Sequence, residues 1–84
     1  MLEVIGEPIR VCAVFRNGSI SPRWFEWQGR LYWVEEIRNR WVTNEGLGRR
    51  YHFAVTVKGR GDLYELLLRS ETMGWALGRI DVSG

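Results

Sequence analysis

The 84-residue chain has one cysteine, one histidine, one lysine and two prolines. A lone Cys12 closes no internal disulfide and builds no thiolate metal cage, so on a strand it reads as a small buried hydrophobe. With His52 the only imidazole, the usual zinc-ligand sets fall short, and neither metal nor cofactor is expected. No apolar run approaches the roughly 20 residues of a membrane helix. The first eight residues, Met1 to Pro8, lack the basic start and apolar stretch of a secretion signal, which points to a cytoplasmic protein off the membrane. Catalytic sets are equally thin. As a general base His52 needs a nucleophile and an orienting group, and no sequence neighbour supplies either. Glu35 and Glu36 are adjacent and so point to opposite faces of a strand, which prevents paired acid–base work. No helix start follows Gly59-Arg60-Gly61, so that loop cradles no phosphate. An enzyme is not expected.

Large rings are plentiful: five Trp, three Tyr and three Phe. With 45% hydrophobic and 26% charged residues, the composition is that of a globular domain. The length allows one domain over residues 1–84, with a core over about residues 8–80. A chain this size buries only about 60–65% of its unfolded surface, and the rings offset that shortfall.

The densest aromatic stretch is Arg23-Trp24-Phe25-Glu26-Trp27-Gln28-Gly29-Arg30-Leu31-Tyr32-Trp33-Val34. Gln28-Gly29 between two apolar runs predicts a hairpin with a two-residue turn. That turn places Trp27 opposite Arg30, Glu26 opposite Leu31, Phe25 opposite Tyr32 and Trp24 opposite Trp33. Alternation then puts Phe25, Trp27, Tyr32 and Val34 on one face, expected as core. Trp24, Glu26, Leu31, Trp33 and Glu35 share the other. The Trp24–Trp33 pair either covers a loop or barrel end, or presents an interaction surface.

Six strands are expected. The first, over residues 9–16, alternates Ile9, Val11, Ala13 and Phe15 against Arg10, Cys12, Val14 and Arg16. Residues 17–22 read as a loop. The aromatic hairpin follows, its second strand running on to Val42 through a bulge near Val34–Ile37; a helical turn over residues 35–40 is the alternative. Residues 43–48 read as the loosest segment. Residues 50–58 place Tyr51, Phe53, Val55 and Val57 inward and Arg50, His52, Ala54, Thr56 and Lys58 outward. Residues 63–69 and 75–80 complete the set. Short strands joined by brief loops predict an all-β antiparallel meander, curled into a small barrel or half-barrel because no amphipathic helix covers its apolar face.

Two functional readings follow. The first is a non-enzymatic interaction module, self-associating or protein-binding, through Trp24, Trp33 and Trp41. The second is single-stranded nucleic-acid binding through Arg50, His52, Lys58, Arg10 and Arg16, with the Trp rings stacking on bases. Eleven of the twelve basic residues are Arg, whose fork suits phosphate. Ten interspersed carboxylates hold the net charge to +2, weak for a dedicated nucleic-acid binder.

The string Glu7-Pro8-Ile9-x-Val11, Phe25-x-Trp27-x-Gly29-Arg30-x-Tyr32-x-Val34, Ile37, Trp41, Tyr51-x-Phe53-x-Val55, Tyr64-Glu65-Leu66 and Trp75-x-Leu77 resembles a small uncharacterised bacterial domain. The resemblance spans roughly residues 7–80. Similar domains are associated with Y-family, translesion-polymerase-like proteins, which implies a DNA-damage-tolerance setting and no catalytic residues. The connection over residues 46–50 is longer here than that pattern expects, and Leu67-Leu68 is more apolar.

Overall fold

A computed structural model of the chain describes residues 1–83. Seven strands follow one another: β1 (Leu2–Pro8), β2 (Arg10–Arg16), β3 (Ser19–Trp27), β4 (Arg30–Glu45), β5 (Gly48–Val57), β6 (Leu63–Arg69) and β7 (Trp75–Asp81). All neighbours are antiparallel, in the order β1-β7-β6-β5-β4-β3-β2. The expected all-β meander is present as β2 to β7. Among the described residues no helix is long and apolar enough to cross a membrane.

Turn chemistry sets much of this. Asn17 and Gly18 have φ of 51° and 74°, and Gln28 and Gly29 have φ of 51° and 75°. Two consecutive positive φ values match the twist of the flanking strands, so both turns close tight hairpins. The register of the aromatic hairpin is the expected one, from Trp27↔Arg30 to Trp24↔Trp33.

Several expectations are corrected. Leu2–Pro8 forms an extra strand, mostly exposed, paired only with β7; a mostly exposed strand carries a weak apolar pattern, which hides it in sequence. The loop expected over residues 17–22 shrinks to Asn17-Gly18, and Pro22 lies buried within β3. Proline is tolerated there because this half of β3 has one ladder partner, β2, and so has a free edge. Residues 43–48 are strand closed by the two-residue turn Gly46-Leu47. No helical turn forms over residues 35–40. The bulge expected there is two register shifts, between Val34 and Glu36 and between Ile37 and Asn39, so β4 bends and leaves β3.

β1 and β2 stand at opposite ends of the sheet order yet are separated by Ile9 alone, whose N–H donates to the Trp75 carbonyl at 3.2 Å. The sheet therefore curls until its ends meet at Ile9, without a closing ladder: a half-barrel. Its concave face holds Phe25, Tyr32, Phe53, Val55, Val57, Tyr64, Leu66, Leu77 and Ile80. Phe25 stacks on Tyr32, with centroids 4.9 Å apart and planes 5° apart, and Tyr64 lies 5.6 Å from both rings.

Burial among these rings raises the Tyr64 phenol above the ordinary tyrosine range; Asp62 and Tyr32 add to the rise, and the charge and hydrogen bond of Arg60 oppose it. The folded state thus holds this proton more tightly than the unfolded chain. Its contribution to stability is complete below the unfolded value near 10 and is lost as pH rises from there through the folded value. Denaturant midpoints measured across that window are expected to fall in the wild type and to fall less in Tyr64→Phe. Equal slopes would show that Tyr64 is not the group responsible.

Candidate interaction surfaces

The convex face carries two separate constellations. On β2, β3 and β4 the register sets Cys12, Trp24 and Trp33 in one row, with Arg10, Glu26 and Leu31 in the next. The indoles of Trp24 and Trp33 lie 6.3 Å apart and tilted by 56°, a favourable edge-to-face approach. Trp33 is 51% exposed, Leu31 is 49% exposed, and Cys12 is exposed rather than buried as the sequence suggested. Strand alternation assigns these side chains outward, because their neighbours Phe25 and Tyr32 fill the core. An apolar row thus crosses three strands in solvent, bordered by the Arg10–Glu26 ion pair at 3.3 Å.

Trp41 is not part of this row. The two β4 bulges carry it to the half of the sheet shared with β5, β6 and β7, where its ring stacks on His52 at 4.9 Å with planes 4° apart. The solvated His52 expected from sequence is corrected: its side chain is only 12% exposed. Nδ1 lies 3.1 Å from Glu65 Oε1 and Nε2 lies 2.8 Å from Thr43 Oγ1. A carboxylate only accepts, so Nδ1 carries the hydrogen toward Glu65, and in the neutral ring Nε2 accepts from the Thr43 hydroxyl. Arg79 Nε closes the chain on Glu65 Oε2 at 2.7 Å. Four adjacent strands are tied by Thr43, His52, Glu65 and Arg79.

Hydroxyl, imidazole and carboxylate in that sequence are the parts of a nucleophilic triad. His52 lies in β5, which is paired on both sides, so the backbone amides around it are committed to the sheet ladder, the reverse of what an oxyanion site requires. Trp41 also covers one face of the imidazole. The arrangement locks a ring pair in place. Among the described residues no group of three or more His, Cys, Asp or Glu is placed to hold a metal ion.

The basic residues named from sequence do not form one groove. Arg10 pairs with Glu26 and Arg50 with Glu45. Arg10 and Arg16 sit at opposite ends of β2, and Arg50 and Lys58 near opposite ends of β5. Besides His52, one of them lies next to an aromatic residue in the sheet: the Lys58 backbone N–H donates to the Trp33 carbonyl at 2.9 Å, and both residues are exposed.

The sequence does not single out Thr43, Glu65 and Arg79 as site residues. They are distant along the chain and meet only through the β4–β5, β5–β6 and β6–β7 registers, which local sequence leaves undefined. Comparison with known proteins returns no matching family, no matching curated protein and no matching solved structure.

Proposed function

We propose that this chain is a non-enzymatic β interaction module that associates, with a second copy or a protein partner, through the Trp24–Trp33 face. The observation that carries this reading is the Cys12–Trp24–Trp33 row, exposed at Cys12 and Trp33 and half-buried at Trp24, with exposed Leu31 beside it, apolar surface held on a sheet. Paired indoles are the residue type that dominates binding energy at protein interfaces, at a small entropic cost because the strands already order them. Arg10 and Glu26 at its border bring both signs of charge, as a face that meets its own copy requires.

The test is Trp24→Ser with Trp33→Ser, followed by sedimentation over a concentration series. Loss of at least about 2 kcal/mol is expected, roughly 30-fold in Kd, with the far-ultraviolet β signal intact. Unfolding of the double variant would show that the pair belongs to the core and would end this reading.

A second reading is single-stranded nucleic-acid binding in a DNA-damage-tolerance setting, and the Trp33–Lys58 neighbourhood favours it. A base stacked on Trp33 with Lys58 on the phosphate quenches indole emission in a saturable, salt-sensitive way. Titration with a single-stranded oligonucleotide at low and physiological salt reads this directly. Flat emission at low salt rejects it.

A further inference from the structure

The ladder between β3 and β4 stops at Trp24↔Trp33. Beyond it, Ser19–Arg23 pairs only with β2, and from Val34 to Glu45 β4 pairs only with β5. Two strand edges therefore face a common gap, each with one side of its backbone free of ladder partners among the described residues. Arg40 bridges the gap. Its Nη1 donates to Ser19 Oγ at 3.1 Å and to the Ile20 carbonyl, and its Nη2 donates to Ser21 Oγ at 3.2 Å. Paired strands lie about 4.8 Å apart and need no side chain to span them; here a long guanidinium side chain makes the crossing.

Cavities open on both sides of the bridge. One, of about 250 Å³, is lined by Ile20, Val42, Tyr51 and Phe53 among others. The other, of about 380 Å³, is lined by Pro22, Val34, Glu35 and Ile37 among others. Phe15 lines a neighbouring cavity that shares Ile20 and Tyr51 with the first; it is 62% exposed and Val42 is 52% exposed, although strand alternation turns both toward the concave face.

We propose that this gap is a second binding site, distinct from the Trp24–Trp33 face, which takes a single extended polypeptide segment of a partner as an added strand. The backbone selects the occupant. A row of free N–H and C=O groups is matched by another extended main chain, and cavities along the edge take its alternate side chains. A second copy of this domain is a poor fit, because each of its strands already has at least one ladder partner and β3 closes the far side of the gap. A lone segment has both edges free and pairs with β3 and β4 together. It carries a bulky apolar residue for the cavity at Ile20, Val42 and Tyr51, and it displaces Arg40 from Ile20.

Selection of random linear 12-residue peptides displayed on phage, against the intact protein, tests this. Val42→Arg obstructs the first cavity at an exposed position, and Phe15→Arg obstructs the adjoining one, which shares Ile20 and Tyr51, at another. Folding of each is checked by its amide spectrum. Enriched peptides are expected to carry an apolar residue flanked by extended polar ones and to slow amide exchange over residues 19–23 and 34–42. They are expected to lose at least tenfold in affinity with Val42→Arg or Phe15→Arg and to bind Trp33→Ser normally. Overturning results are no enrichment, binding that survives both arginine variants, or binding lost only with Trp33→Ser. Because the Trp33 variant is read separately, this site and the Trp24–Trp33 face stand or fall independently.

Discussion

Phe25→Ala is expected to unfold the domain or bring it to the edge of unfolding. Phe25 is fully buried, stacked on Tyr32 and in contact distance of Tyr64, at the point where the β3–β4 hairpin meets β6. Truncating a buried Phe removes its transfer free energy and leaves a void that close-packed neighbours refill only in part, at a cost of about 3–5 kcal/mol. A domain of this size commands on the order of 5–10 kcal/mol in all. Thermal unfolding should therefore begin roughly 15 °C lower or more. Phe25→Leu keeps most of the volume and should lose much less. If calorimetry shows Phe25→Ala within about 1 kcal/mol of the wild type, the aromatic stack does not organise the core.

The second large effect belongs to Glu65→Ala. Glu65 accepts from His52 on one oxygen and from Arg79 on the other, and both His52 and Glu65 have side chains only 12% exposed. Arg79 is half exposed and regains water when its partner goes. His52 does not. Its Nδ1–H is left beneath Trp41 without an acceptor, which costs about 1–3 kcal/mol for a buried donor. A loss of about 2 kcal/mol is expected by urea unfolding, with coupling between His52 and Glu65 in a double-mutant cycle of about 0.5–3 kcal/mol. Additive single losses would show that the two side chains act separately. The same variant frees the His52 ring, so the Trp41 emission should change in the folded state.

Much of the β3–β4 region was legible because its instructions are local. Gln28-Gly29 dictates the turn, the turn dictates the register, and alternation from that register assigns Phe25 and Tyr32 to the core and Trp24 and Trp33 to the opposite face. Strands β5 and β6 were legible for the same reason, since Phe53, Val55 and Val57 and then Tyr64, Leu66 and Leu68 recur at period two. Legibility failed where partners are distant. β1 pairs with the last strand, some seventy residues away, and shows almost no apolar alternation of its own. His52 looked solvated because its strand phase points outward, and phase does not reveal that Trp41 and Glu65 enclose it from adjacent strands.

The amino-acid sequence alone determined an all-β antiparallel meander, the hairpin register and the core positions of Phe25, Tyr32, Phe53 and Tyr64, since each follows from turn residues and side-chain alternation within a few positions. Tertiary structure decided the rest. The bends in β4 part it from β3, separate Trp41 from the Trp24–Trp33 pair and open the gap that Arg40 spans. The pairing of β5 with both β4 and β6 also encloses His52. Those outcomes depend on how far a curled sheet can carry its neighbours before their backbones no longer reach one another, a distance set by strands remote in sequence.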